Sequence, residues 1–176
     1  MGEVLRLAII ACLASVSAAY ANERSAELVS SFQAFCIPGP PDFAALDAKV
    51  TAMKLAVRKD VGTPRQPGQF AHSKSWLVPL KSGTHELVAG EVRGPNGEVA
   101  SCGIGADDVD GEEVRQELVK TMNLGAPARQ TPTADGTQRV TSWKYADDVT
   151  LLLADGTPMK IPGIYLTLLH QTNTSR

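Results

Sequence analysis

Two cysteines, Cys36 and Cys102, are the feature that most constrains how this chain folds. The remaining cysteine, Cys12, lies in an N-terminal apolar run that is predicted to be removed on export. Two thiols in an exported chain most often form one disulfide, because exported compartments are oxidising. We therefore predict a Cys36–Cys102 disulfide that closes a loop of about 66 residues and contributes about 4 kcal/mol to the free energy of unfolding.

A free, nucleophilic Cys102 is the alternative interpretation. A reactive thiol needs a nearby base and an electropositive setting. The neighbouring Ser101, Gly103 and Ile104 supply neither, so the sequence favours the disulfide.

Export is predicted from residues 1–21. Arg6 precedes an apolar run, and small residues follow that run and end at Ala21. A charged head, an apolar stretch of about 7–15 residues and an A-x-A end are typical of a cleavable secretory signal. The mature chain then starts at Asn22, and its predicted location is periplasmic or secreted. Lipidation of Cys12 is the alternative to this cleavage, although the apolar segment before Cys12 is short for a signal.

Length and charge indicate one exported domain with no preference for nucleic acid. Removal of residues 1–21 leaves residues 22–176, a length typical of a single domain. The net charge is −2 and is unchanged by the removal, because Glu3 and Arg6 cancel. A charge so close to zero gives no reason to expect nucleic acid or an anionic membrane as partner. No second apolar run approaches the roughly 20 residues of a membrane helix, so no stable membrane insertion of the mature chain is predicted.

Apolar spacing predicts three helices. The first spans residues 25–36, the second runs from the Asp42 cap to residue 59, and the third spans residues 110–124 and ends at Gly125. In each segment apolar residues recur every three or four positions, which predicts that one face of the helix is buried.

Apolar residues that alternate between turn signals predict six strands. The strands cover residues 76–80, 85–92, 98–104, 137–145, 149–154 and 164–169. Two polar stretches, residues 60–73 and 126–136, are predicted to be loops. Pro79 lacks an N–H donor, which predicts that the first strand lies at an edge of its sheet.

The predicted fold class is α+β, with antiparallel sheet(s) and helices packed on one face, in the order α-α-β-β-β-α-β-β-β. On the third strand Ala100, Cys102 and Ile104 share a face by the two-residue period of a strand. We expect this face to meet the first helix, which would place Cys36 next to Cys102.

A partner-binding site is predicted in the first long polar stretch. Arg65 and Lys74 make this stretch locally basic, and Phe70 and His72 lie between them. By contrast, residues 107–113 carry several carboxylates and no cation. Such an asymmetry steers a charged partner. The alternative interpretation is that both stretches are solvated surface.

No catalytic, cofactor-binding or metal-binding residue is assigned from the sequence. One segment fits part of a calcium loop, but Ala106 stands where the first carboxylate is required, and Asp110 is explained as a helix cap. His72, His85 and His170 are scattered and form no metal-binding or hydrolytic motif with their sequence neighbours. We therefore predict no cofactor.

The predicted function is non-enzymatic: an exported domain that binds a protein or a small ligand through an apolar groove or an exposed strand edge. A secreted hydrolase is the first alternative, and it requires a cleft that holds one of the three histidines beside a carboxylate or serine. An envelope structural or inhibitor protein is the second alternative, and it requires a large, flat apolar patch.

Overall fold

The computed structural model describes five segments of the chain, which are residues 23–37, 39–64, 70–94, 97–156 and 163–173. Three of the predicted features lie outside these residues. They are the signal segment over residues 1–21, its cleavage point between Ala21 and Asn22, and Arg65.

Three helices form where apolar spacing predicts them. Helix α1 is described over residues 23–36, α2 spans Phe43–Ala52 and α3 spans Gly111–Met122. Asp42 caps α2 and Asp110 caps α3, because each side chain accepts hydrogen bonds from free backbone N–H groups of the first turn. Within the described part of the chain, no helix has the length and apolar character needed to cross a membrane.

The ends of α2 and α3 differ from the prediction. Helix α3 ends at Asn123, whose φ of 51° lies in the left-handed region. Asparagine tolerates this conformation and commonly ends helices, so the predicted stop at Gly125 is wrong. Helix α2 ends at Ala52 and not at residue 59 as predicted, and Val57 is an exposed strand residue.

Within the described segments, eight strands form one antiparallel sheet in the order β1-β2-β3-β4-β8-β7-β6-β5. The strands are β1 (Ala56–Pro64), β2 (Phe70–Leu80), β3 (Gly83–Gly94), β4 (Gly97–Ala106), β5 (Arg129–Pro132), β6 (Arg139–Ala146), β7 (Val149–Asp155) and β8 (Ile164–Asn173). The predicted α+β class is confirmed, with one more strand in each half than the sequence indicated.

Both predicted loops contain strands. Strand β1 and the first residues of β2 occupy most of residues 60–73, where Asp60 pairs with Lys74 and Gly62 with His72. Strand β5 occupies part of residues 126–136. These polar segments show no clear apolar alternation. They are strands because a neighbouring strand takes up their backbone hydrogen-bonding groups, a tertiary effect that local patterns do not report.

Strand β2 is not an edge strand, contrary to the prediction from Pro79. It lies between β1 and β3. Its pairing with β1 ends at Leu77, opposite Ala56, so Pro79 lies beyond the stretch that β1 pairs. A residue without an N–H donor is therefore tolerated at this position, although the strand as a whole is internal.

The two faces of the sheet differ in what packs against them. We call the covered face the one that carries the buried row Trp76, Leu87, Ile104, Leu166 and Leu153. All three helices contribute buried apolar residues to the same cluster as this row: Leu28, Val29, Phe32, Leu46, Val50, Val114 and Leu118. The helices therefore pack on one face, as predicted.

A disulfide joins the first helix to the covered face. Cys36 of α1 and Cys102 of β4 are bonded, with their Cα atoms 5.4 Å apart, which is a normal separation for a disulfide. Ala100 and Ile104 lie on the same face of β4 as Cys102, and all three side chains are buried. The predicted pairing and its geometric basis are both confirmed.

Candidate functional site

The face of the sheet opposite the helices, which we call the open face, carries the alternate residues of each strand. One row across it is Ser75, Val88, Gly103, Thr167 and Leu152. Its side chains are small or aliphatic, and most are only partly buried. On the described parts of the central strands β2, β3, β4 and β8, Glu86 is the one charged residue with an open-face position.

A depression of about 450 Å³ lies in this face, between β1 and β8. Its aliphatic walls are Val61, Val92, Val99 and Leu169, and Lys59 stands at its margin. Val92 is 45 % exposed and Val61 is 37 % exposed, so water reaches these walls. We call this feature the aliphatic depression.

Small residues form the floor of the aliphatic depression. Ser73, Gly90 and Ser101 pair across β2, β3 and β4. The Ser101 hydroxyl donates a hydrogen bond to the Gly90 carbonyl oxygen, at 3.2 Å. A Cβ atom on Gly90 would lie 3.0 Å from that hydroxyl oxygen. A larger residue at position 90 would therefore fill the depression from below.

Cations stand at both lateral margins of the open face. Lys59 lies on β1, opposite Ser75, and Arg129 lies on β5, opposite Ser142. Arg58 bonds to Glu86 at 2.7 Å, and Lys144 of β6 lies opposite Thr150 of β7. Apart from Glu86 on β3, the described centre of the open face thus carries no charged residue, and cations lie at both lateral edges.

Two of the predicted partner-binding residues, His72 and Lys74, make contacts within the protein on the covered side of the sheet. His72 Nε2 lies 2.7 Å from Asp60 Oδ1, and its ring lies 4.4 Å from the ring of Phe43. Lys74 donates to Asp47 of α2 at 2.7 Å and lies 3.7 Å from Asp60. These contacts hold α2 against β1 and β2. The side chains of Arg65 and Phe70 lie outside the described part of the chain.

The charges of this cluster stabilise one another. The hydrogen bond from His72 lowers the pKa of Asp60, and the nearby ammonium of Lys74 acts in the same direction. The hydrogen bond to Asp47 raises the pKa of Lys74. The local excess of positive charge expected from the sequence is thereby offset by two carboxylates.

A second concavity, which we call the polar groove, lies on the covered side between the start of α2 and the strands β3, β4 and β8. Its volume is about 550 Å³. Glu91, Glu98 and His170 line it, together with Asp42 at the start of α2. Arg93 bonds to Glu91 at 3.0 Å and to Glu98 at 3.3 Å, so a single guanidinium engages both glutamates.

His85 lies in a different setting, buried at 1 % exposure on the covered face. Its Nε2 atom is 3.4 Å from the Ser82 hydroxyl, but its buried Nδ1 has no hydrogen-bond partner among the described residues. A hydrolytic triad needs an acid bonded to that second nitrogen. Burial lowers the pKa of His85, and the nearby carboxylate of Glu27 opposes part of this effect.

The acidic segment before α3 is explained by helix capping. Asp110 accepts hydrogen bonds from the backbone N–H groups of Glu112 and Glu113, at 2.9 and 3.0 Å. Arg115 bonds to the Glu112 carboxylate and lowers the pKa of Glu112 to about 2. Among the described residues, His, Cys, Asp and Glu side chains form no group of three that could hold a metal ion.

No family model, no curated protein sequence and no solved structure matches this chain. What the chain does is therefore inferred from its own surfaces. The open face was not identified from the sequence. A signal for it exists in β4, where Val99, Ser101, Gly103 and Gly105 alternate with the apolar covered-face residues.

Proposed function

We propose that this protein is an exported, non-enzymatic domain that binds a protein partner through the open face of its sheet. The export proposal, to the periplasm or to the medium, is supported by the signal pattern over residues 1–21 and by the Cys36–Cys102 disulfide. Binding is supported above all by one observation: the centre of the open face carries Glu86 as its one charged residue among the described positions, is partly exposed and is free of any described helix.

The size of the open face suits a protein better than a small molecule. Eight strands about 4.8 Å apart and about eight residues long give a face of roughly 34 by 26 Å, or about 900 Å². A standard protein interface buries about 800 Å² on each partner. Only part of this area is apolar, and contiguous exposed apolar patches of a few hundred Å² commonly mark interaction sites.

The edge strands are less suited to binding than the face. Strand β1 has a bulge between Val57 and Lys59 and carries Arg58, Lys59 and Asp60. Bulges and charged residues are the common means by which edge strands avoid pairing with another chain. Strand β5 is only four residues long and ends at Pro132. The face, rather than an edge, is therefore the binding surface that we propose.

Two variants with the same substitution test this proposal. Val92→Glu places a carboxylate on the open face, and Val57→Glu places one at an exposed position outside it, where the wild-type valine is 55 % exposed. The mature protein is immobilised and incubated with the exported fraction of the source cells, and retained proteins are quantified by mass spectrometry. We expect Val92→Glu to lose a protein that both the wild type and Val57→Glu retain. Equal retention by all three proteins would contradict the proposal.

For the hydrolase alternative, the candidate site is the polar groove, which His170 lines together with the carboxylates of Glu91 and Glu98. Hydrolysis of p-nitrophenyl esters by the purified mature protein, lost in His170→Ala, would favour this alternative. The inhibitor or envelope-structural alternative uses the same open face as the main proposal, and the identity of the retained protein separates the two.

A further inference from the structure

We infer that the partner presents an acidic surface around an aliphatic side chain, and that this side chain enters the aliphatic depression. This inference rests on the proposed function and adds the chemistry of the partner to it. It is carried by the composition of the depression and by the distribution of charge around the open face.

The walls of the depression select an aliphatic group. Val61, Val92, Val99 and Leu169 contribute hydrocarbon to the lining, and two of these valines are more than a third exposed. Burying such surface is favourable by about 25 cal/mol for each Å² removed from water. The small floor of Ser73, Gly90 and Ser101 leaves room for a side chain to enter. A partner gains most by placing an apolar side chain here.

Lys59 favours a negative charge on the partner, next to the side chain that enters the depression. Lys59 is exposed and lines the depression, and no ion pair of Lys59 occurs among the described residues. A carboxylate on the partner, beside the inserted side chain, would supply that ion pair. Such a contact at the rim of an interface raises the association rate and fixes the orientation of the complex.

The other cations at the margins of the open face are Arg58, Arg129 and Lys144. Three carboxylates accompany them: Glu86 bonds to Arg58, Asp147 bonds to Lys144, and Asp107 lies beside Glu86 and Tyr165. Lys59 and Arg129 are therefore the margin cations for which no ion pair occurs among the described residues. The whole chain nevertheless has a net charge of −2, and the polar groove with its two glutamates lies on the covered side. The positive margin is thus a local property of the open face, complementary to an acidic partner.

A displayed peptide library tests this inference, because it samples many partner chemistries at once. A library of random twelve-residue peptides on phage is selected against the mature protein with its disulfide intact. Enriched peptides are then measured for binding to four proteins: the wild type, Val92→Glu, Lys59→Glu and the control Lys120→Glu. Lys120 is a cation of α3 whose side chain is 78 % exposed. Thermal unfolding confirms that each variant is folded.

We expect the enriched peptides to carry Asp or Glu next to Leu, Ile, Val or Met. They should bind Lys59→Glu about tenfold more weakly than the wild type, and bind Lys120→Glu as the wild type does. Peptides that lose binding in Val92→Glu but are basic or neutral would overturn the inference and leave the proposed function standing. Peptides whose binding is unaffected by Val92→Glu would overturn both.

Discussion

The covered face and the open face belong to the same strands, yet they differ in what packs against them. Residues 168 and 169 of β8 show the contrast: Leu168 is fully buried under the helices, and Leu169 lines the aliphatic depression on the open face. Three helices and a disulfide attach to the covered face. The packing that stabilises the fold is therefore concentrated on one side of the sheet, among the described residues.

The disulfide should make the largest single contribution to the covered face. In Cys36→Ala/Cys102→Ala we expect the free energy of unfolding to fall by about 4 kcal/mol, since the bond closes a loop of 66 residues. Urea denaturation of the oxidised wild type and of the variant measures the difference. A difference below about 1 kcal/mol would show that α1 stays in place through packing alone.

Truncation of the two adjacent leucines compares the faces directly. Leu168→Ala should lower the free energy of unfolding by about 3 kcal/mol, because it leaves a cavity in the packed core. Leu169→Ala should lower it by about 1 kcal/mol or less, because the side chain is partly exposed. Urea denaturation of both variants measures the two losses in free energy of unfolding, which can then be compared. Equal losses would mean that the open face contributes to stability as much as the covered face does.

A substitution at Gly111 tests how closely the start of α3 packs against β7 on the covered side. A Cβ atom built on Gly111 would overlap with the buried carboxylate of Asp155, which also bonds to Arg139 at 3.1 Å. We expect Gly111→Ala to lower the free energy of unfolding by about 2 kcal/mol through overpacking. Gly125→Ala is the control, because its Cβ would meet no atom within 4 Å. Thermal unfolding measures the melting temperatures of both variants. If both melted at the temperature of the wild type, this packing of α3 would be contradicted.

The buried His85 should make stability depend on pH in a narrow window. Burial lowers its pKa in the folded state, so between that value and the ordinary value near 6.5 the unfolded chain binds more protons. The free energy of unfolding should therefore fall as the pH drops below about 6.5, by up to about 1.4 kcal/mol for each pH unit. His85→Gln should flatten this slope in urea denaturation between pH 5 and pH 7. If the free energy of unfolding of the variant kept the same dependence on pH, the dependence would come from titratable groups other than His85.

Much of the covered face could be predicted from the sequence. The Cys36–Cys102 bond was predicted from the cysteine count and the export signal, and the period of two on β4 predicted which side of that strand meets the first helix. The caps Asp42 and Asp110 were also predicted, since capping depends on neighbouring backbone groups alone. Local chemistry is sufficient for features of this kind.

The strands β1 and β5 and the open face could not be predicted in the same way. Strand β1 contains Arg58, Lys59 and Asp60, and it forms because β2 pairs with it over most of its length. Alternation on β4 predicted the side that meets the first helix, but it does not say whether anything packs against the opposite side, which is the open face. Lys74 was predicted to bind a partner, but Asp47, far away in sequence, supplies its ion pair.

Photo-crosslinking tests the central claim, that the open face binds a protein, most directly. Benzoylphenylalanine is placed at position 92 in one protein and at position 57 in another, and each is illuminated in the exported fraction of the source cells. We expect a crosslinked protein partner from position 92 on the open face and none from position 57 outside it. Crosslinks from position 57 alone, or to the same extent from both positions, would contradict the claim.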